Sequence, residues 1–82
     1  MNIEKDILRI LEDVLSLKGR AATYTASSPL LGGVPELDSM AVVAVLNSLE
    51  EFFGIVIDDD EIDGSLFATV GSLTEFVQGK LG

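Results

Sequence analysis

Apolar and polar residues alternate along this chain with the period of helices. From Ile3 to Leu17, the residues Ile3, Ile7, Ile10, Leu11, Val14 and Leu15 recur at three- and four-residue steps, which gathers them on one face of a first helix. Asn2 is placed to cap its start, and Gly19, flanked by Lys18 and Arg20, suits its end through backbone freedom and the macrodipole. Between Ala21 and Leu37, Ser27, Ser28, Pro29, Gly32, Gly33 and Pro35 argue against a regular element and predict a long loop. Its apolar residues, Leu30, Leu31, Val34 and Leu37, include some that pin the loop to the core. A second helix is expected from Asp38 or Ser39 to about Gly54, with Met40, Val43, Leu46, Leu49 and Phe53 inward and Glu50 and Glu51 toward solvent. Ile55 to Ile57 extends it, and Asp58 to Asp63 reads as a brief helical turn capped by Asp58. Thr69 is the expected N-cap of a last helix reaching about Lys80, with Val70, Leu73, Phe76 and Val77 inward.

The pattern is therefore all-α, and 82 residues suffice for one domain, spanning positions 1–82. Apolar residues make up 48% of the chain but form no run long enough to cross a bilayer, and Met1 to Asp6 lacks the profile of a secretory signal. A cytoplasmic monomer is expected. The chain has no cysteine and no histidine, which removes disulfides and the commonest zinc ligands and nucleophile–base pairs. The bare chain is accordingly not expected to be an enzyme.

Charge narrows the partners. The net charge is −9, and Lys5, Arg9, Lys18 and Arg20 lie near the start with Lys80 near the end, so no base falls between Ala21 and Gly79. Phosphate backbones are bound by Lys and Arg, so nucleic acid is disfavoured. The acids either keep the protein soluble or steer it toward basic partners.

The first candidate for chemistry is Asp38-Ser39-Met40, where a hydroxyl sits at the junction of a long loop and a helix. The helix N-terminus offers free N–H groups and a positive dipole end, which favour a phosphodiester there. Taken alone, Ser39 reads better as nothing more than part of an N-cap, since most helices have one, and any given tripeptide arises by chance in about one chain in a hundred of this length. Its surroundings decide. An amphipathic first helix, a long loop, Asp38-Ser39-Met40, Leu49-Glu50-Glu51-Phe52-Phe53, Ile55-Val56-Ile57-Asp58 and Thr69-Val70 together resemble an acyl carrier protein along the length of the chain. The resemblance implies a four-helix bundle with a long loop between the first two helices and a short third helix. It also implies 4'-phosphopantetheine attached covalently to Ser39, transferred from coenzyme A by a phosphopantetheinyl transferase, with an acyl group held on its thiol. Acyl-loading and acyl-using enzymes with basic surfaces would be the further partners, with Asp38, Met40, Glu50, Glu51, Asp58 and Asp59 as recognition residues.

The likeness has departures. Pro35-Glu36-Leu37 stands where carriers of fatty acid synthesis usually read Leu-Gly-x, Met40 replaces a leucine, and Ala41 and Ala44 replace partner-binding acids. These departures point to a dedicated carrier in a specialised pathway. The Pro-Glu-Leu-Asp-Ser-Met form is similar to carriers linked to exopolysaccharide and exosortase systems. Aminoacyl cargo stays open, although the acidic charge favours acyl cargo.

A second candidate is Asp58, Asp59, Asp60, Glu61 and Asp63 before Gly64. Counted from Asp59, a calcium loop would need a bidentate glutamate at position 12, where Val70 stands. No dedicated metal site is expected, although crowded acids at Asp59, Glu61 and Asp63 leave room for weak cation binding. The third feature, the apolar density of Met40 to Leu46 with Leu66, Phe67 and Phe76, is ordinary core or an interior able to admit an acyl chain. The rival reading of the whole chain is an unmodified acidic helical interaction or cation-binding module.

Overall fold

A computed structural model describes residues 3–82, so the expected cap at Asn2 lies outside the described residues. Among the described residues three α-helices carry the fold: α1 (Ile3–Leu15), α2 (Ser39–Phe53) and α3 (Val70–Leu81). A 3-10 turn, Asp59–Glu61, stands in the place of the short third helix. No described helix is long and apolar enough to cross a membrane.

α1 buries Ile7, Ile10, Leu11 and Leu15, the face its periodicity announces. It stops short of Gly19. Ser16 takes a left-handed φ of 53°, and the Leu17 N–H turns back to the Glu12 carbonyl at 3.1 Å while its side chain is fully buried. This is a Schellman closure made with a serine, in which burial of Leu17 outweighs the unfavourable φ. Gly19, also left-handed, then opens a 3-10 turn, Arg20–Thr23, inside the region expected to lack regular structure. Its N–H donates to Glu12 Oε2 at 2.8 Å.

The long loop is anchored at both ends of its course. Leu30, Val34 and Leu37 are buried and Leu31 is exposed. Pro29 forms an isolated antiparallel bridge with Thr69, and four N–H groups tie the two segments: Leu30 to the Ala68 carbonyl, Leu31 to Phe67, Val70 to Ser28 and Gly71 to Ala26. A Cβ on Gly71 would lie 2.9 Å from the Ala26 carbonyl oxygen, so the close approach requires glycine. Thr69 caps α3, accepting from the Ser72 N–H at 3.1 Å while the Ser72 hydroxyl accepts from the Thr69 N–H.

The inward face of α2 differs from expectation. Val45, Leu46 and Leu49 are buried with Val42 and Phe53 packed beside them, whereas Met40 and Val43 face solvent at 79% and 56% exposure. One and two turns beyond Val43 the helix presents Asn47 and Glu51, both exposed, so that face cannot continue as core; the one through Val42, Val45 and Leu49 continues to Phe53. α2 ends at Gly54, whose φ of 66° lets both its own N–H and that of Ile55 close on the Glu50 carbonyl. The core that results contains no buried polar residue among those described.

Candidate functional site

The first turn of α2 is built so that its serine is spare. Asp38 adopts an extended backbone as N-cap, and its Oδ1 accepts the Ala41 N–H at 2.8 Å. Ser39 is thereby the first helical residue, not the cap, and its side chain is exposed. Among the described residues nothing hydrogen-bonds the Ser39 hydroxyl. A phosphoryl group on this oxygen would meet the orphan N–H groups and the positive end of α2. The residues present therefore fit a phosphodiester-linked arm.

The segment that delivers Ser39 is firmly held. Gly33 and Val34 donate to the Leu30 carbonyl, and Leu37 donates to Val34. A Cβ on Gly33 would lie 2.7 Å from the Pro29 carbonyl oxygen, so this tight turn needs glycine. Glu36 pairs with Arg20, whose Nε also donates to the Leu17 carbonyl, and this bond with Arg20 holds the Glu36 carboxyl below its usual pKa. The ion pair bridges the end of α1 and the approach to Ser39 across sixteen residues, a contact with no local sequence signal.

Of the expected recognition residues, Asp38, Met40, Glu51, Asp58 and Asp59 are exposed. Glu50 is not simply solvent-facing: it is half-buried, and its Oε2 accepts the Ile57 N–H at 2.9 Å, hanging the segment after α2 beneath the helix. Val43, Phe52 and Val56 are exposed apolar residues that the pattern did not single out for the surface.

Two acids of the acidic segment, Glu61 and Asp63, are engaged within the fold. Glu61 Oε1 accepts from Lys80 Nζ at 2.6 Å and from the Asp58 N–H at 3.0 Å, and Lys80 first, then that N–H, lowers its pKa. Asp63 Oδ1 accepts from the Ser65 hydroxyl and N–H and from the Leu66 N–H, which lowers its pKa in turn, the hydroxyl contributing most. Among the described residues no group of three such carboxylates converges on a cation. A lowered carboxyl pKa stabilises the fold above the unfolded value and loses that effect as pH falls through the folded one. Glu61→Gln is therefore expected to be less stable than the parent protein at neutral pH, with the gap closing as pH falls below the ordinary 4.5 of glutamate. Paired thermal melts across that range check it; a gap that does not change with pH would refute the ionic origin.

No family model and no curated protein matches the chain. Among solved structures it is similar to the solution NMR structure of a holo acyl carrier protein from Nitrosomonas europaea, at 54% identity over 99% of this chain and 98% of that one, with a TM-score of 0.92. Identity at that level over the whole described fold, together with a spare serine hydroxyl at the head of α2, carries one conclusion: the chain belongs to the acyl carrier protein family.

Proposed function

We propose that Ser39 is the attachment point of a 4'-phosphopantetheine arm and that the chain presents an acyl group on that arm to partner enzymes. The observation that carries this reading is the exposed Ser39 hydroxyl, left unbonded because Asp38 supplies the cap. When bound, the arm supplies a thiol on which an acyl group is held as a thioester. The chain contributes an accessible Oγ, a helix end that favours the phosphate, and no cysteine to compete for the acyl group. It is a carrier, not an enzyme. A phosphopantetheinyl transferase supplies the arm from coenzyme A, and the setting is a cytoplasmic monomer. The test is the intact mass of the protein after incubation with coenzyme A and an active transferase. A single mass gain localised to Ser39 is expected, and a folded protein that gains nothing would favour the rival interaction module.

The partners belong to a specialised pathway in this reading. Ala41 and Ala44 lie on the first turns of α2, Ala44 exposed, and Glu36 before Ser39 is engaged by Arg20. This leaves little free charge near the serine for enzymes that select an acidic helix, and specificity is a difference between competing affinities. Enzymes of general fatty acid synthesis are expected to use the loaded protein poorly beside a housekeeping carrier. Equal elongation rates on the two carriers would refute that.

A further inference from the structure

Ser39 is delivered by a segment with two anchors of different kinds. Leu37 is buried and sets how deep the segment lies on the core. The segment's backbone hydrogen bonds are local: the Leu37 N–H donates to the Val34 carbonyl at 3.0 Å, and the Asp38 N–H to the Glu36 carbonyl at 3.2 Å. Local bonds fix its shape but not its swing relative to the bundle. The second anchor is the Glu36 carboxylate, held by Arg20 from sixteen residues earlier in the chain. Glu36 stands just before Leu37, the Asp38 cap and Ser39, so whatever holds its side chain also steers the head of α2.

Arg20 is itself fixed in place. Its backbone N–H and its Nε both donate to the Leu17 carbonyl at 3.1 Å, and its own carbonyl accepts from the Thr23 hydroxyl at 2.8 Å. Leu17 and Ala21 on either side of it are buried. With Nε spent on the main chain, the planar guanidinium presents Nη2 to Glu36 in a set direction. The pair therefore joins a rigid turn at the end of α1 to the approach to Ser39. Both side chains are partly exposed, at 47% and 36%, and exposed ion pairs add little to stability. The consequence of this one is positional.

Resting on the assignment of Ser39 as the attachment point, we propose that Arg20 is a positioning residue for arm transfer, acting through Glu36 to fix where the Ser39 oxygen stands. In that transfer the Ser39 Oγ bonds to the phosphorus that carries the arm as the pyrophosphate bond of coenzyme A breaks. The hydroxyl proton passes to a base on the transferase, and adenosine 3',5'-bisphosphate leaves. The step needs the reacting atoms at near-attack distance and aligned, so small displacements of the oxygen slow it.

The experiment follows single-turnover transfer with an active transferase and coenzyme A in excess over the carrier. Its maximal rate reports the step at Ser39, and the half-saturating transferase concentration reports docking. The proteins compared are the parent, Arg20→Gln, Glu36→Gln, both together, and Lys18→Gln, which removes the same charge two residues from Arg20. The maximal rate is expected to fall about fivefold for Arg20→Gln and for Glu36→Gln alike, with no further fall in the double variant. Half-saturation should change less than about twofold, melting temperatures should stay within about 3 °C of the parent, and Lys18→Gln should match the parent throughout. If the transferase reads Glu36 directly, freeing that acid by Arg20→Gln leaves transfer unchanged or speeds it, and Glu36→Gln acts on half-saturation; either result would overturn the proposal. So would losses that multiply in the double variant, or that track a fall in melting temperature. A parent protein that gains no arm would instead defeat the Ser39 assignment, so the two failures are distinct.

Discussion

Ser39→Ala is expected to abolish the mass gain on treatment with coenzyme A and transferase while leaving the bundle folded. The loss should be complete, because the substitution removes the only atom proposed to form the bond to the arm. The fold should not notice. The Ser39 side chain is exposed and unbonded, the cap on α2 belongs to Asp38, and alanine is a better helix former than serine in the first turn. Its melting temperature should equal or slightly exceed that of the parent. Asp38→Ala is the contrasting case: it keeps the hydroxyl but frees the Ala41 N–H, at a cost of about 1 kcal/mol, and is expected to slow modification without preventing it. If folded Ser39→Ala protein still gains the arm, the modified residue lies elsewhere and the functional assignment of this helix end is wrong.

What was legible in the sequence was mostly local. Asp38, Thr69 and Gly54 mark their helix ends because a cap or a left-handed C-terminal residue is decided within four or five positions. The exposed position of Ser39 at the head of α2 is legible for the same reason, and the resemblance to acyl carriers rests on short blocks of this kind. The less legible features depend on distant partners. The end of α1 at Ser16 instead of Gly19 follows from burying Leu17 beneath the rest of the chain, which no property of Ser16 announces. The inward face of α2 was mistaken at Met40 and Val43 because a helix rich in Val, Ala and Leu offers several apolar stripes. Only continuity to Phe53 selects among them. Glu50 looked like a solvated acid, yet the chain after Gly54 turns back and brings the Ile57 N–H to it. The Arg20–Glu36 pair likewise exists only once the loop has folded over the end of α1.

The loop itself is the part whose irregular sequence most understates its role, and Leu30→Ala is the substitution that should expose this. Leu30 is fully buried, its N–H bonds the Ala68 carbonyl, and its own carbonyl accepts from Gly33 and Val34. Truncation leaves a cavity where α3's entry meets the loop, and buried Leu→Ala changes cost about 2 to 5 kcal/mol. Against a total stability of about 5 to 15 kcal/mol, that should lower the melting temperature by roughly 10 to 25 °C in a domain of this size. Leu31→Ala is the matched control. Its neighbouring side chain is half exposed, so the same change in composition should cost about 0.5 kcal/mol or less. Because the segment from Leu30 to Leu37 delivers Asp38 and Ser39, the folded fraction of Leu30→Ala should also accept the arm more slowly, whereas Leu31→Ala should not differ from the parent. Equal melting temperatures for the two variants would mean that the loop is draped over the bundle and not built into it, and that Ser39 is positioned by α2 alone.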